Sequence, residues 1–273
     1  MMKTRTISGA VLILVLFGLL YVGGYVWLVA LAAFSEIGLY EYTQALSKQH
    51  KPYFWISAAA CFAYYLILAL IPDWIIQQNG GLLSLAILFM VFMIASVAEY
   101  PKRSYVDALL SFGGVVYIAV LFSFLYFVRA KENGFVYIWF LFWAAWGSDT
   151  CAYLFGRAFG KHKLVPVLSP NKTVEGALGG VFGAIVLCVG YGMAVRSSTG
   201  LSVGMMLVLS GCIGLFGAIL GQIGDLFSSS IKRFVEIKDF GKLIPGHGGI
   251  LDRFDSILLS GTAVALVLHF LGV

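Results

Sequence analysis

The polar stretch at residues 229–255 contains the residue types that handle phosphate groups and metal ions. It holds five Lys or Arg residues, four carboxylates and one histidine, in a chain of 273 residues of which only 11% are charged. Lys and Arg bind phosphate oxygens. Mg²⁺ takes oxygen ligands, often one or two carboxylates together with substrate phosphates. Hydrophobic segments flank the stretch on both sides, so we predict a phosphate- and metal-handling site at a membrane surface.

The composition of the whole chain is that of an integral membrane protein. Hydrophobic residues make up 60% of it, whereas soluble domains are about 45–50% apolar and about 25% charged. A transmembrane helix needs about 20 mostly apolar residues. The predicted fold class is therefore an all-α polytopic integral membrane protein with about nine transmembrane helices. The nine apolar segments are residues 7–22, 24–46, 53–71, 81–98, 105–128, 134–155, 174–195, 201–228 and 250–271.

The distribution of Lys and Arg predicts the orientation, because cytoplasmic loops of membrane proteins carry an excess of these residues. With the N-terminus in the cytoplasm and the C-terminus outside, 15 of the 18 cations fall on the cytoplasmic side. Arg129, Lys131 and Arg196 are the three expected outside. The long cationic loops 156–173 and 229–249 then face the cytoplasm, and whatever the protein handles meets the cytoplasm through them. We divide the chain into N-terminal helices, residues 1–130, with a lipid-facing or oligomerisation role, and a catalytic part, residues 131–273.

Four aspartates occur within or at the ends of predicted spans, where ionisable groups are costly and mark functional sites. Asp149 lies in the sixth span, Asp225 near the cytoplasmic end of the eighth, and Asp252 and Asp255 at the start of the ninth. The predicted topology brings all four to a similar depth on one side, as a Mg²⁺ site would require. The alternative is that they form structural ion pairs with Lys232, Arg233 or Arg253.

Two helix starts could bind an anion, because free N–H groups and the helix dipole attract negative charge there. Ser169, Asn171, Lys172 and Thr173 offer side-chain donors just before the seventh span. The same residues also fit an ordinary helix cap. The PGHGG run at 245–249 leads into the ninth span, and its glycines permit a backbone nest around phosphate.

Further features predict how the helices pack. Small residues let helix backbones approach closely in lipid, and two glycine stripes follow helical spacing. The stripes are Gly176, Gly179, Gly180 and Gly183 in the seventh span and Gly214, Gly217, Gly221 and Gly224 in the eighth. Glu36 and Glu41 lie near the inner end of the second span, where they could orient the site or face the headgroup region; we favour the structural role, because span ends tolerate charge.

Two stretches resemble the marked regions of one enzyme family. Residues 229–255 read S-x-I-K-R-x4-K-D-x-G-x2-I-P-x-H-G-G-I-x-D-R-F-D, and residues 148–176 read SDTCAYLFGRAFGKHKLVPVLSPNKTVEG. Both closely resemble phosphatidate cytidylyltransferases, also called CDP-diacylglycerol synthases. The N-terminal half matches only as generic spans.

The resemblance implies that CTP and phosphatidate give CDP-diacylglycerol and pyrophosphate in a Mg²⁺-dependent reaction, with the number of metal ions left open. It implies a homodimer in the lipid bilayer and no nucleic-acid partner. The implied metal ligands are Asp225 and Asp252, with Asp149 close to the metal. The implied catalytic residues are Asp225, Asp252, Lys232, Arg233, His247 and Arg253. The implied substrate-binding residues are Ser169, Asn171, Lys172, Lys238, Asp239, Gly248, Gly249 and Asp255.

Two other functions compete with this interpretation. A CTP-dependent lipid kinase acting on polyprenol or phytol would release CDP, but the intact H-G-G-I-x-D-R-F-D ending favours the cytidylyltransferase. An anion transporter would need a polar path across the membrane, whereas the charge of this chain clusters on one side.

Overall fold

The structure is a computed structural model that describes residues 2–76 and 79–273, and the side chains of residues 9–75 and 79–273. Lys3 and Arg5, both counted among the cytoplasmic cations, therefore have side chains outside the described residues. The chain forms two compact units. The first unit joins residues 1–123 to residues 235–252, and the second joins residues 124–234 to residues 253–273. The division at residue 130 stays a prediction.

Helices dominate the part of the chain that the structure describes, as the composition predicts. The helices are α1 (Met2–Val22), α2 (Gly24–Leu46), α3 (Phe54–Leu70), α4 (Pro72–Ile76), α5 (Gly80–Ala98), α6 (Tyr105–Val115), α7 (Leu121–Ala130), α8 (Gly134–Phe159), α9 (Val174–Thr199), α10 (Val203–Phe234) and α11 (Leu251–Phe270). A π-helical segment, Val116–Val120, joins α6 to α7 without a break. Each of the nine predicted segments is thus helical.

Four helices of the described chain are long and apolar enough to cross a membrane by length and composition: Gly80–Ala98, Tyr105–Ala130, Val174–Thr199 and Val203–Phe234. Helices α2, α8 and α11 have comparable lengths of 23, 26 and 20 residues. The number of spans and the orientation of the termini stay predictions.

The two long polar loops contain more regular structure than the sequence predicts. Residues 156–173 hold the end of α8 and an antiparallel hairpin, β1 (Lys163–Val165) and β2 (Ser169–Thr173), with Lys163 opposite Thr173. Helix α10 continues to Phe234, so the expectation that residues 229–234 belong to a loop was wrong. Hydropathy marks where apolar residues end, whereas helical hydrogen bonding continues through Ser229–Phe234.

In the first unit, polar contacts fix the loop between α2 and α3 and the start of α6. Ser104 and Asp107 form a reciprocal capping box at the start of α6, an arrangement that satisfies two otherwise unpaired N–H groups. Asp107 also accepts a hydrogen bond of 2.9 Å from the backbone N–H of Lys51. The buried Ser35 and Tyr65 hydroxyls lie 2.9 Å apart and tie α2 to α3. These contacts fix the positions of α2, α3 and α6 relative to one another.

In the second unit, α8, α9, α10 and the part of α11 from Arg253 onward pack in alternating directions. The glycine stripes lie at these interfaces, which confirms the prediction of close packing. A side chain on Gly176 would press on the carbonyl oxygen of Ala152 in α8. One on Gly224 would overlap the carbonyl of Asp255 in α11. The backbones of α9 and α10 therefore approach their neighbours closely.

The alternating directions separate the charges of the second unit between its two ends. The Nζ of Lys131 donates to the carbonyl of Val273, which places the α7–α8 loop and the C-terminus at one end. Arg196, near the end of α9, belongs to that end too. The opposite end carries the larger group, namely Arg157, Lys161, Lys163, Lys172, Lys232, Arg233 and Arg253. The predicted segregation of cations is therefore present within this unit.

Candidate active site

An ion pair between Lys172 and Asp225 lies at the cationic end of the second unit. The Lys172 ammonium group contacts the Asp225 carboxylate directly, and the two side chains are 29% and 33% exposed. Pairing of β2 with β1 fixes the backbone of Lys172, and the glycine face of α10 fixes that of Asp225. Residues 53 positions apart in sequence thus meet, and both stay accessible to a ligand.

Two further aspartates surround this pair. Asp225 interacts electrostatically with Asp149 of α8 and with Asp255 of α11. Asp255 is 8% exposed. Its Oδ1 accepts a hydrogen bond of 2.8 Å from the N–H of Ser256, and its Oδ2 lies 4.0 Å from the Nζ of Lys232. The second unit therefore brings together three of the four aspartates singled out in the sequence.

Of the ion pairs expected in the structural alternative, Asp255 with Lys232 is present, whereas Asp225 pairs with Lys172; the metal-binding role of these aspartates stays a prediction. The three carboxylates nevertheless outnumber the two ammonium groups in the cluster. Excess negative charge at the edge of a membrane is unfavourable unless a cation offsets it. The cluster is thus suited to bind a metal ion as well as phosphate.

A pocket of about 470 Å³ opens beside this cluster, within the size range of small-molecule sites. It is lined by four elements of the second unit: α8, the hairpin, α9 and α10. The lining residues are Asp149, Ala152, Tyr153, Gly156, Arg157, Leu164, Asn171, Lys172, Thr173, Gly176, Ala177 and Gln222. Of the candidate site residues predicted from sequence, Asp149, Asn171, Lys172 and Thr173 line it.

The pocket also contains polar residues that the sequence interpretation missed. Gln222 donates hydrogen bonds of 3.1 Å to the Ser148 hydroxyl and to the carbonyl of Ala177. It lies one turn before Asp225 on α10, and an amide within an apolar helix was the signal that could have identified it. Tyr153 and Arg157 follow Asp149 at helical spacing on α8, and both are exposed at the pocket.

The start of α9 is capped by the protein itself. The N–H of Val174 donates to the carbonyl of His162 at 2.9 Å, and that of Gly176 donates to the Thr173 hydroxyl at 3.1 Å. Glu175 accepts hydrogen bonds from the N–H groups of Lys161 and His162 and lies 2.6 Å from the His162 ring. An ordinary cap is therefore present at this helix start, and Glu175 anchors the hairpin to α9. Anion binding by Ser169, Asn171, Lys172 and Thr173 stays a prediction.

The PGHGG run lies in the first unit, where it forms a tight turn. The N–H of Ile244 donates to the carbonyl of Gly248 at 2.8 Å, and that of His247 donates to the carbonyl of Ile244 at 2.9 Å. Gly246 and Gly248 have positive φ angles of 78° and 85°, a conformation that favours glycine. The turn brings the chain back to the start of α11.

Asp252 organises the same turn. Its Oδ2 accepts hydrogen bonds from the N–H of Phe240 at 2.8 Å and from that of Gly249 at 3.0 Å. Its side chain is buried, and a Cβ on Gly248 would lie 2.9 Å from Oδ2. The amide of Gly249 is thus bound to a protein carboxylate. The metal-binding role of Asp252 and the substrate-binding roles of Gly248 and Gly249 stay predictions.

The remaining predicted residues differ in exposure. Ser169 and His247 are half-buried, whereas Arg233, Lys238, Asp239 and Arg253 are exposed. Exposed cations at the ends of helices are free to reach an anionic ligand, and their roles likewise stay predictions.

The donor set of the cluster fits Mg²⁺ as a partly protein-bound ion. Among the residues that the structure describes, no three His, Cys, Asp or Glu side chains lie close enough together to hold a metal ion by themselves. Magnesium commonly keeps several water or phosphate ligands and takes only one or two carboxylates. Asp225, with Asp149 near it, supplies that chemistry.

The comparisons with known proteins identify the family. The model described as the cytidylyltransferase family matches residues 3–271. The chain belongs to the cytidylyltransferase family. This membership confirms the resemblance seen in residues 229–255 and 148–176, and it makes the chain a CTP-using nucleotidyltransferase.

Curated relatives carry a more specific name. A phosphatidate cytidylyltransferase of Staphylococcus haemolyticus (strain JCSC1435) is 34% identical over 267 residues, covering 94% of this chain and 95% of the relative. A phosphatidate cytidylyltransferase of Staphylococcus aureus (strain COL) is 34% identical over 263 residues with the same coverage. The similarity therefore extends over the N-terminal helices as well as the two motif regions.

Proposed function

We propose that the protein transfers CMP from CTP to phosphatidate, giving CDP-diacylglycerol and pyrophosphate. The observation that carries the proposal is the gathering of three carboxylates and two ammonium groups beside a pocket at the cationic end of the second unit. Both substrates carry phosphate groups. Their binding needs cations to contact the phosphate oxygens and carboxylates to hold a metal ion nearby. The names of the nearly full-length relatives support the choice of phosphatidate as acceptor.

The reaction forms one P–O bond and breaks another. A phosphate oxygen of phosphatidate attacks the α-phosphorus of CTP while the bond from that phosphorus to the oxygen bridging it to the β-phosphate breaks, and pyrophosphate leaves. Positioning and charge neutralisation accomplish most of such a transfer. We assign Lys172 and Lys232 to phosphate oxygens, because their ammonium groups lie within the cluster. The exposed Arg233 and Arg253 are further phosphate-binding candidates.

We also propose that the enzyme uses Mg²⁺, held by Asp225 with Asp149 close by and with Asp252 as a further candidate. When bound, the ion would neutralise charge on the phosphates of CTP. Lys172 would then exchange its contact with Asp225 for one with a phosphate, because both side chains are about a third exposed and Lys172 lines the pocket.

The test is a reconstituted assay with purified protein, phosphatidate, labelled CTP and Mg²⁺. We expect equal amounts of CDP-diacylglycerol and pyrophosphate. Formation of CDP without pyrophosphate would indicate a kinase instead. Absence of CDP-lipid with every divalent ion tested would refute the proposal.

The membrane arrangement is part of the proposal. We propose a homodimer in the cytoplasmic membrane, with about nine spans, the cationic end of the second unit facing the cytoplasm and the C-terminus outside. A C-terminal reporter that is active only outside the cytoplasm tests the orientation, and cross-linking in native membranes tests the dimer. A cytoplasmic C-terminus would contradict an odd number of spans starting inside.

A further inference from the structure

Glu41 is a buried carboxylate in α2, far in sequence from the polar stretch at residues 229–255. It is 5% exposed, although its position near the predicted inner end of a span led us to expect that it would face the headgroup region. A buried carboxylate that stays ionised needs strong hydrogen-bond donors. The partners of Glu41 therefore indicate its role.

Those partners are backbone N–H groups at the start of α11. Ile250 donates to Oε1 of Glu41 at 3.0 Å, and Leu251 donates to Oε2 at 2.9 Å. Both carboxylate oxygens are thus engaged by a segment 209 and 210 residues away. A negative charge at a helix N-terminus is favourable, because free N–H groups and the helix dipole converge there.

Two glycines of the polar stretch at residues 229–255 pack directly against the same carboxylate. A Cβ on Gly241 or on Gly249 would overlap the Glu41 side chain. Each position therefore has space for Glu41 only because it lacks a side chain. Glu41 is therefore held by hydrogen bonds from Ile250 and Leu251 and by close contacts with Gly241 and Gly249.

Asp252 completes this arrangement. Its Oδ2 binds the N–H groups of Phe240 and Gly249, while Glu41 binds those of Ile250 and Leu251. The two carboxylates together engage three consecutive amides, at residues 249–251, just where the turn containing His247 and Gly248 enters α11. Loss of either carboxylate would leave buried N–H groups without partners.

We infer that Glu41 is a positioning residue that fixes the turn at residues 244–249 and the start of α11 in the geometry needed to bind nucleotide. This inference rests on the proposed function, since the turn matters for catalysis only if it contacts CTP. Glu41 itself does not touch substrate in this role. Its carboxylate occupies the place that an anionic ligand could take at the start of α11, and its hydrogen bonds fix the end of the turn.

The test compares Glu41→Gln with wild type, using Glu36→Gln on the same helix as the matched control. Gln keeps the size of the side chain, but it offers one acceptor oxygen where the carboxylate offers two. Hydrogen–deuterium exchange at Ile250 and Leu251 should accelerate about tenfold in Glu41→Gln and stay unchanged in Glu36→Gln. At equal amounts of folded protein, the KM for CTP should rise about tenfold and that for phosphatidate less than twofold.

The split between the two KM values separates positioning from a general loss of stability, which would lower kcat without selecting one substrate. Unchanged amide exchange in Glu41→Gln would overturn the contact, and faster exchange with an unchanged KM for CTP would overturn the positioning role. If wild-type protein forms no CDP-diacylglycerol, the proposed function fails, and the exchange measurement still decides whether Glu41 anchors the turn.

A second pair of variants covers the case in which Glu41→Gln folds poorly. Gly241→Ala should reproduce the weaker CTP binding, because its methyl group displaces the Glu41 carboxylate. The same substitution should add little in a Glu41→Ala background, where the space is open. Equal effects of Gly241→Ala in both backgrounds would show that the two residues are independent and would refute the inference.

Discussion

Asp225→Asn gives the sharpest test of the carboxylate cluster, because its effects on stability and on activity should differ widely. The substitution removes one charge and keeps the shape of the side chain. The ion pair that it breaks is 29% and 33% exposed, and pairs of this kind contribute about 0–1 kcal/mol to the free energy of unfolding. That corresponds to a decrease in Tm of about 2–4 °C at most for a chain of this size.

Activity should fall much further. Removing one group that stabilises transition-state charge typically lowers kcat by about 10²–10³-fold, or about 3–4 kcal/mol. Asp225 lies at the centre of the cluster, in contact with Lys172 and within electrostatic range of Asp149 and Asp255. We therefore expect a loss of turnover of at least 10²-fold in a protein that still folds.

The measurement pairs the initial rate of CDP-diacylglycerol formation with thermal unfolding in the same detergent. Glu132→Gln is the matched control, because Glu132 is an exposed carboxylate in the α7–α8 loop at the opposite end of the second unit. A decrease in rate of fivefold or less, with unchanged dependence on Mg²⁺, would show that Asp225 serves only as a structural partner of Lys172. That result would remove it from the metal site.

Other predictions follow from single contacts. Gly224→Ala should lower the free energy of unfolding by about 1–3 kcal/mol, because the new methyl group overlaps the carbonyl of Asp255. Gly190→Ala meets no atom within 4 Å and should raise the free energy of unfolding by about 0.5–1 kcal/mol through helix propensity. Glu175→Ala removes the contacts that hold Lys161 and His162, so trypsin should cleave the hairpin several-fold faster, and an unchanged cleavage rate would contradict the anchoring role. Chelation of divalent ions should abolish CDP-lipid formation and Mg²⁺ should restore it, whereas full activity in excess chelator would refute the metal requirement.

The sequence predicted the cluster because charge is expensive within apolar segments. Asp149 and Asp225 stand out in otherwise hydrophobic helices, and alternating the helix directions is enough to bring them to the same end. Lys172 was predicted to bind phosphate. It contacts Asp225 because both residues lie at the cationic end of the second unit. For Asp149 and Asp225, the shared location follows from hydropathy and alternating helix direction.

The sequence did not predict which carboxylates bind backbone amides. Asp252 accepts from residues 240 and 249, and Glu41 accepts from residues 250 and 251. Nothing in the spacing of a turn indicates which distant side chain will occupy its N–H groups. The hairpin was missed for another reason, because strands of three and five residues are too short to show alternation.

With the proposed roles of Lys172 in phosphate binding and Asp225 in Mg²⁺ binding, the ion pair between them would make the binding of anion and cation reciprocal. A polyphosphate that takes Lys172 away from Asp225 would leave a carboxylate free to accept a metal ion, and a metal ion that takes Asp225 would release the ammonium group for phosphate. By thermodynamic linkage, each ligand must then raise the affinity of the other by the same factor. Metal and nucleotide would therefore enter this pocket as mutually dependent ligands, and neither alone would bind with its full strength.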